Sequence, residues 1–247
     1  MGSKKRLLIC LCFNGTAYCG WQVQKNGLSI QSVVQNAIYN VLKFKFDIVA
    51  CSRTDSGVHA NKFFFHMDLN INIELEKFKF ALNNKLPNDI AVNFIKIVPS
   101  NFHARYSATK KEYIYKIWNS KIKNPFLDNL VWHYNRTINV QKMNMAGKIL
   151  IGRHNFASFC CVKSTVTNKV RTLYKLKVKK VGELIIFQIV GDGFLHKMVR
   201  IMVGTLISVS EELIKISDIK KILDSKNRKL AGRTVPACGL YLNDVFY

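Results

Sequence analysis

Apolar residues give way to polar ones within the stretch Ile48-Val49-Ala50-Cys51-Ser52-Arg53-Thr54-Asp55-Ser56-Gly57-Val58-His59-Ala60, and three phenylalanines follow it closely, Phe63-Phe64-Phe65. This pattern predicts two strands joined by a tight loop that turns at Gly57. A carboxylate held near an arginine on such a loop is typical of a functional site. A lone Asp in a turn is more often a cap or an Asx-turn residue, so the rest of the chain must decide the role of Asp55.

The chain is strongly basic. Its 247 residues include 38 Lys and Arg against 15 Asp and Glu, a formal net charge of +23 at pH 7. The surplus is spread over the whole length, and a field of this kind favours polyanionic partners with a salt-dependent affinity. A lysine-rich but otherwise ordinary surface would look the same. Charge therefore favours a nucleic acid as partner without proving it.

Composition also narrows the class of protein. Seven cysteines form no CxxC pair and are odd in number, which predicts small buried hydrophobes in a reducing compartment and no metal site. The basic start followed by Leu7 to Phe13 only superficially resembles a signal peptide, because the apolar run is short and no cleavage site follows. No run approaches the roughly twenty apolar residues of a membrane span. We expect a cytoplasmic globular protein without contact to a membrane.

Periodicity in the first half predicts the order strand, helix, strand, strand, helix, strand. The helices are expected from Ile30 to Leu42, with Ser29 as N-cap, and from Glu74 to Asn84. The strands are expected at residues 7–13, 48–51, 62–67 and 91–98. This is the split β-α-β order of a ferredoxin-like unit.

The second half repeats that order without obvious sequence identity. The predicted elements are a strand at 112–118, a helix at 140–151, a hairpin of 170–179 with 184–190, helices at 194–209 and 218–223, and a last strand at 239–245. The predicted fold class is α+β, with two tandem ferredoxin-like or RRM-like units, residues 1–104 and 105–247. We expect them to join into a mainly antiparallel central sheet with a basic cleft between them.

Further candidates lie in the second half. Tyr113 follows two lysines and shares a strand face with Tyr115, and exposed aromatics beside lysines are what stacking of an unpaired base requires. A core tyrosine fits the same pattern. His196 and Arg200 are four residues apart, so a helix would place them on one face with Gly204. Local sequence offers no nucleophile elbow for a cysteine mechanism.

The chain resembles the tRNA pseudouridine synthase A family, also called tRNA pseudouridine(38-40) synthase. Ser52 stands where that family often has Gly, but no group that the reaction needs is missing. The resemblance is carried by ordered motifs over nearly the whole chain: Asn14-Gly15, Tyr18 and Gly20-Trp21-Gln22; Arg53 to Ala60; Leu86 to Val92; Phe102 to Ala108; Gly152, His154, Phe156, Ser158 and Phe159; Phe194 to Arg200; and Gly239 to Leu242.

The resemblance implies isomerisation of uridine to pseudouridine at positions 38, 39 and 40 of the tRNA anticodon stem-loop. It implies catalytic roles for Asp55, Arg200 and Tyr113, and substrate binding by Tyr113, Arg53, His196 and Lys197. Asp55 would be the nucleophile at C1′ of the ribose or C6 of the base, or would abstract a sugar proton. No cofactor is expected, and the family works as a homodimer.

Two other functions stay open. A non-catalytic RNA-binding protein of two RRM-like units would be equally basic, but it would not need the loop that carries Asp55. A related synthase acting on another RNA is the third possibility. The compact length favours the tRNA enzyme.

Overall fold

The computed structural model describes residues 4–25 and 27–247, and this part of the chain forms ten strands and five α-helices. It divides into two compact units. The first comprises the described residues up to Thr109 together with Tyr241–Tyr247, and the second is Lys110–Leu240. Within each unit, strand pairing is antiparallel except for one parallel pair. The α+β class and the mainly antiparallel pairing are therefore confirmed.

The first unit is a sheet with two helices. Its elements are β1 (Lys5–Phe13), α1 (Ile30–Leu42), β2 (Val49–Ala50), β3 (His59–Leu69), α2 (Leu75–Asn83), β4 (Ile90–Val98) and β10 (Leu240–Phe246). The sheet order is β4-β1-β3-β10, with β2 also paired to β3. β1 is antiparallel to both neighbours, so β3, which begins at His59 directly after the Asp55 stretch, lies against a strand buried over most of its length.

Helix α1 begins where the sequence predicts. The Ser29 hydroxyl accepts a hydrogen bond from the Ser32 amide at 3.2 Å and forms a capping box with it. The helix ends at Lys43, whose left-handed backbone (φ 60°) stops further helical hydrogen bonding. Its buried face consists of Ile30, Val34, Ala37, Ile38 and Leu42.

The second unit pairs a sheet with three helices. Its elements are β5 (Lys110–Trp118), β6 (Trp132–His133), α3 (Val140–Leu150), β7 (Gly152–Asn155), β8 (Val170–Val181), β9 (Leu184–Gly191), α4 (Met198–Ser210) and α5 (Asp218–Ser225). The order is β5-β9-β8-β7, and β6 runs parallel to the end of β5. The predicted hairpin is confirmed as β8 and β9, which turn at Gly182 with φ +59°.

Two elements differ from the prediction. Helix α4 begins at Met198 rather than at Phe194, because Lys197 has a left-handed backbone (φ 62°) that a continuous helix cannot contain. The last strand was expected in the second unit, whereas Tyr241–Tyr247 belongs to the first unit. There Tyr241 and Leu242 pair in parallel with His59 and Ala60 of β3.

A loop of residues 102–107 is tied to β1 and β3 of the first unit. Arg6 binds both carboxylate oxygens of Asp68, at 2.7 and 2.8 Å, and donates a further hydrogen bond to the Phe102 carbonyl. The Arg6 guanidinium lowers the pKa of Asp68 well below its usual range. His66, which is buried, accepts the Ala104 amide on Nδ1 at 3.1 Å.

Burial of His66 makes the stability of the first unit sensitive to pH. Burial, then Arg6 and His103, lower its pKa to about 4 from 6.5. The unfolded chain therefore binds the proton more tightly than the folded one, and the free energy of unfolding falls as pH drops through this window.

We predict that, between pH 7 and pH 4.5, the free energy of unfolding of the native protein falls by about 2 kcal/mol more than that of His66→Gln. The variant has no imidazole to protonate at this position. Urea unfolding at the two pH values measures the difference. His133→Gln, at an exposed histidine of the second unit, serves as control and should keep the native dependence. Equal pH dependence in His66→Gln and the native protein would contradict the prediction.

Candidate functional site

Two loops of the first unit lie directly against each other. We call residues 52–58 the Asp55 loop and residues 14–21 the N-terminal loop. The Trp21 amide donates to the Thr54 carbonyl at 3.4 Å, and the Gly57 amide donates to the Tyr18 carbonyl at 3.3 Å. The Ser56 hydroxyl also donates to the Tyr18 carbonyl, at 3.2 Å. The chain on both sides of Asp55 is therefore held by the backbone of the N-terminal loop.

The approach is so close that two positions of the N-terminal loop leave no room for a side chain. A Cβ at Gly15 would lie 2.0 Å from the Val58 carbonyl oxygen, and one at Gly20 would lie 2.3 Å from the Thr54 carbonyl oxygen. Gly20 also has φ +85°, which an L side chain resists. These two steric limits give a physical reason for the glycines of the Asn14-Gly15 and Gly20-Trp21 motifs.

The N-terminal loop is anchored on its far side. The Tyr18 hydroxyl donates to Asp89 at 2.6 Å, and burial together with that carboxylate raises the pKa of Tyr18 above its usual range. The Gly15 amide donates to Nδ1 of His59 at 3.1 Å. The buried His59 ring stacks on Tyr241 with centroids 4.6 Å apart. The N-terminal loop, which contacts the Asp55 loop, is therefore itself held by Asp89 and by His59.

Within the Asp55 loop, Asp55 is half-buried and Arg53 is exposed. The Val58 amide closes a turn on the Asp55 carbonyl at 3.2 Å, with Gly57 at φ +74°. Ser52 is not among the described residues with a positive φ, so its side chain suits the backbone there. The buried hydroxyl of Thr54 has no hydrogen-bond partner among the residues that the structure describes. A buried hydroxyl without a partner is costly, because it loses its hydrogen bonds to water on folding.

Tyr113 lies on β5, and of the two interpretations that the sequence leaves open, the core tyrosine fits its position. Its exposed fraction is 7%, and that of Tyr115 is 0%. Both tyrosines point to the covered face of the sheet, where Tyr113 meets the edge of Phe194 with centroids 5.0 Å apart. Lys110 and Lys116 point to the opposite face, because side chains alternate along a strand, whereas Lys111 lies two residues before Tyr113 and shares its face.

Arg200 lies in the first turn of α4, where the chain after α5 fixes its orientation. Its Nε donates to the Val235 carbonyl at 2.8 Å, and the Tyr115 hydroxyl donates to the next carbonyl, of Pro236, at 2.8 Å. Gly204, one turn along α4, allows this approach, because a Cβ there would lie 1.9 Å from the Arg233 carbonyl oxygen. The segment of residues 233–236 therefore contacts both the Arg200 guanidinium and Tyr115 of strand β5.

His196 and Lys197 precede α4. The prediction that His196 shares a helix face with Arg200 is wrong, because the helix begins only at Met198. The His196 carbonyl accepts the Cys161 amide at 3.0 Å, and the Lys197 carbonyl accepts the Ile201 amide at 3.0 Å. The pairing of Asp55 with Arg200 and the contact of Tyr113 with substrate stay predictions.

The described residues offer neither a metal-binding cluster nor a membrane-spanning helix. Across residues 4–25 and 27–247, no group of three or more His, Cys, Asp or Glu side chains is placed to hold a metal ion. In the same residues, no helix combines the length and apolar character needed to cross a membrane.

Comparison with known proteins identifies the class to which this fold and site belong. The family model described as tRNA pseudouridine synthase matches residues 9–107 and 146–247. The chain belongs to the tRNA pseudouridine synthase family, as its motifs predict.

Individual relatives extend the match over nearly the full length. The chain is 42% identical to tRNA pseudouridine synthase A of Anoxybacillus flavithermus over 244 residues, which covers 98% of this chain and 99% of the relative. It is 41% identical to tRNA pseudouridine synthase A of Clostridium acetobutylicum, covering 98% and 100%. It is 38% identical to that of Staphylococcus aureus strain Newman, covering 98% and 90%.

We predict that Gly20→Ala lowers turnover at least about tenfold, because the new methyl group displaces the Thr54 carbonyl next to Asp55. Gly182→Ala is the matched control, since it also has a positive φ but would meet nothing within 4 Å. The strained backbone should cost both variants about 1 kcal/mol of stability, and the clash with the Thr54 carbonyl should add a further loss in Gly20→Ala. Release of tritium from tRNA labelled at uridine C5 measures turnover. Equal activity of the two variants would show that the close approach at Gly20 does not position Asp55.

Proposed function

We propose that this protein isomerises uridine to pseudouridine at positions 38, 39 and 40 of the tRNA anticodon arm, with Asp55 as the nucleophile. The observation that carries the proposal is a carboxylate on a loop held from both sides by backbone contacts. This loop lies in a chain that matches tRNA pseudouridine synthases over nearly its whole length. A rigid carboxylate is what a covalent or proton-transfer step needs.

The reaction breaks the bond between N1 of uracil and C1′ of the ribose, rotates the uracil, and joins C5 to C1′. The C5 proton is lost and N1 gains a proton, so substrate and product are isomers. No oxidation state changes and no group arrives from outside, so the reaction requires no cofactor. A base in a stacked stem cannot react in this way, and the target uridine must leave the stack at a cost of a few kcal/mol.

Asp55 can act on the substrate by three different reactions. The carboxylate can attack C1′, attack C6, or remove a proton from the sugar. Each reaction needs an ionised oxygen at one fixed place beside the flipped nucleotide. Contacts from residues 14–21 restrict the loop on both sides of Asp55, which supports all three reactions equally.

Basic and aromatic residues complete the proposal. Arg53, exposed on the same loop, contacts the vacated stack or its phosphates. Arg200 pairs with the carboxylate of the proposed nucleophile and supplies a positive charge beside it. Tyr113 contacts the flipped uracil and later takes the C5 proton. Its burial limits that contact to a small part of the ring. His196 and Lys197 contact the tRNA backbone.

The tRNA is proposed to occupy a basic cleft between two ferredoxin-like units, in a cytoplasmic homodimer. A large polyanion needs a larger basic surface than one subunit of 247 residues offers, and the charge of +23 suits such a partner. A non-catalytic RNA-binding protein would have the same charge. The close packing around Asp55 favours the enzyme, because binding alone does not need a fixed carboxylate.

We predict that Asp55→Asn binds unmodified tRNA transcript within about twofold of the native affinity but loses at least about a thousandfold in tritium release from uridine C5. The amide has the shape of the carboxylate without its charge or nucleophilic oxygen. Asp224→Asn, an exposed aspartate paired with Lys220 on α5, is the control and should retain activity.

Release by the native protein but not by Asp55→Asn, at uridines 38, 39 or 40, supports both the reaction and the role of Asp55. Undiminished release by Asp55→Asn would refute that role. Tight tRNA binding without release by the native protein would favour the non-catalytic RNA-binding protein or a different RNA substrate.

A further inference from the structure

The 102–107 loop carries an exposed aromatic and basic group that the proposed mechanism does not use. Tyr106 keeps 75% of its surface exposed, and Arg105 next to it is also exposed. His103 lies against the Tyr106 ring with centroids 4.3 Å apart, and the Arg105 guanidinium carbon lies 5.7 Å from the centroid of that ring. We call His103, Arg105 and Tyr106 the 103–106 platform.

The backbone beneath the platform is fixed by a dense set of hydrogen bonds. The Ser107 amide donates to the His103 carbonyl at 2.8 Å, and the His103 amide donates to the Ser107 hydroxyl at 3.0 Å. The Ala104 amide donates to buried His66, and the Ala104 carbonyl accepts the Tyr247 hydroxyl at 2.9 Å. A loop held in this way loses little conformational entropy when something binds to it.

His103 organises the exposed residues themselves. Its Nδ1 accepts the backbone amides of Arg105 and Tyr106, at 3.1 and 3.2 Å. The same imidazole therefore sets the backbone turn and supports the Tyr106 ring. The result is a ring, a guanidinium and an imidazole displayed together on a rigid base.

Packing among the described residues of the first unit does not account for the exposure of Tyr106. A tyrosine exposed by 75% contributes little to a core. Phe80, another exposed aromatic residue beside a cation, has different surroundings. Phe80 is 63% exposed with Lys79 5.5 Å from its ring centroid, but it stands on the outer face of helix α2, and no aromatic ring of the described residues stacks against it.

We propose that the 103–106 platform binds an unpaired nucleotide of the tRNA, with the base stacked on Tyr106 and its phosphate beside Arg105. The proposal rests on the proposed function, which makes tRNA the substrate. Aromatic rings beside cations are the usual receptors for unstacked bases, and a protein with a charge of +23 draws a polyanion to such a surface. The platform contributes affinity and takes no part in the chemistry.

Titration of labelled tRNA at several salt concentrations tests the platform. Tyr106→Ala should weaken binding about tenfold without changing the salt dependence, while Tyr106→Phe stays within about twofold of native. Arg105→Gln should reduce the slope of log Kd against log salt by about one, because one phosphate contact is lost. Phe80→Ala is the matched exposed aromatic and should bind as the native protein does.

Tritium release from the same tRNA separates this proposal from the proposed function. Tyr106→Ala should raise KM and leave the rate at saturating tRNA within about twofold. If native protein releases tritium while Tyr106→Ala and Phe80→Ala bind tRNA equally, the platform is refuted and the enzyme function stands. If the native protein binds tRNA through Tyr106 but releases no tritium, the function fails instead. A Tyr106→Ala variant that changes only the sedimentation of the protein would assign the surface to a second copy, against the proposal.

Discussion

The backbone of residues 14–21 approaches residues 54–58 so closely that no side chain fits at Gly15 or Gly20. Other contacts of the first unit hold the N-terminal loop in this place. The Tyr18 hydroxyl binds Asp89, and His59 accepts the Gly15 amide. Since protein interiors are close-packed, a shift of one loop must move the other. The main-chain contacts of the loop therefore contribute to the position of the Asp55 carboxylate.

The first unit combines two kinds of rigid loop with different proposed tasks. The Asp55 loop holds one half-buried carboxylate for a proposed chemical step, and backbone hydrogen bonds to residues 14–21 hold the loop in place. The 102–107 loop holds exposed side chains for a binding step, and it is fixed by His66, Arg6 and Tyr247. Separating the two tasks has a physical advantage, because residues that only bind can be changed without disturbing the geometry that a reaction requires. The second unit adds Arg200, which is oriented by the Val235 carbonyl.

Local signals in the sequence predicted much of this fold. Ser29 marks the start of α1, and the run from Val170 to Val190 shows the hairpin of β8 and β9. An exposed and a buried Tyr113 both fit the local pattern, although β5 as a whole favours burial: Tyr113, Tyr115 and Ile117 alternate with Ile114 and Lys116, and the more aromatic set points inward. The start of α4 could not be predicted, because a lysine rarely adopts the left-handed backbone of Lys197. The site was only partly predictable. Asp55 follows from its loop motif, whereas the loop contacts at Gly15 and Gly20 join segments about forty residues apart and leave no local signal.

Amide hydrogen exchange of the peptide that contains residues 54–58 tests most directly whether the N-terminal loop holds Asp55. The Gly57 amide donates to the Tyr18 carbonyl, so it should exchange as slowly as amides in the neighbouring strand β3 in the native protein. In Gly20→Ala it should exchange much faster, and in Gly182→Ala it should stay slow. Rapid exchange of residues 54–58 in the native protein would contradict the account, because the carboxylate of Asp55 would then sit on a loop that opens freely.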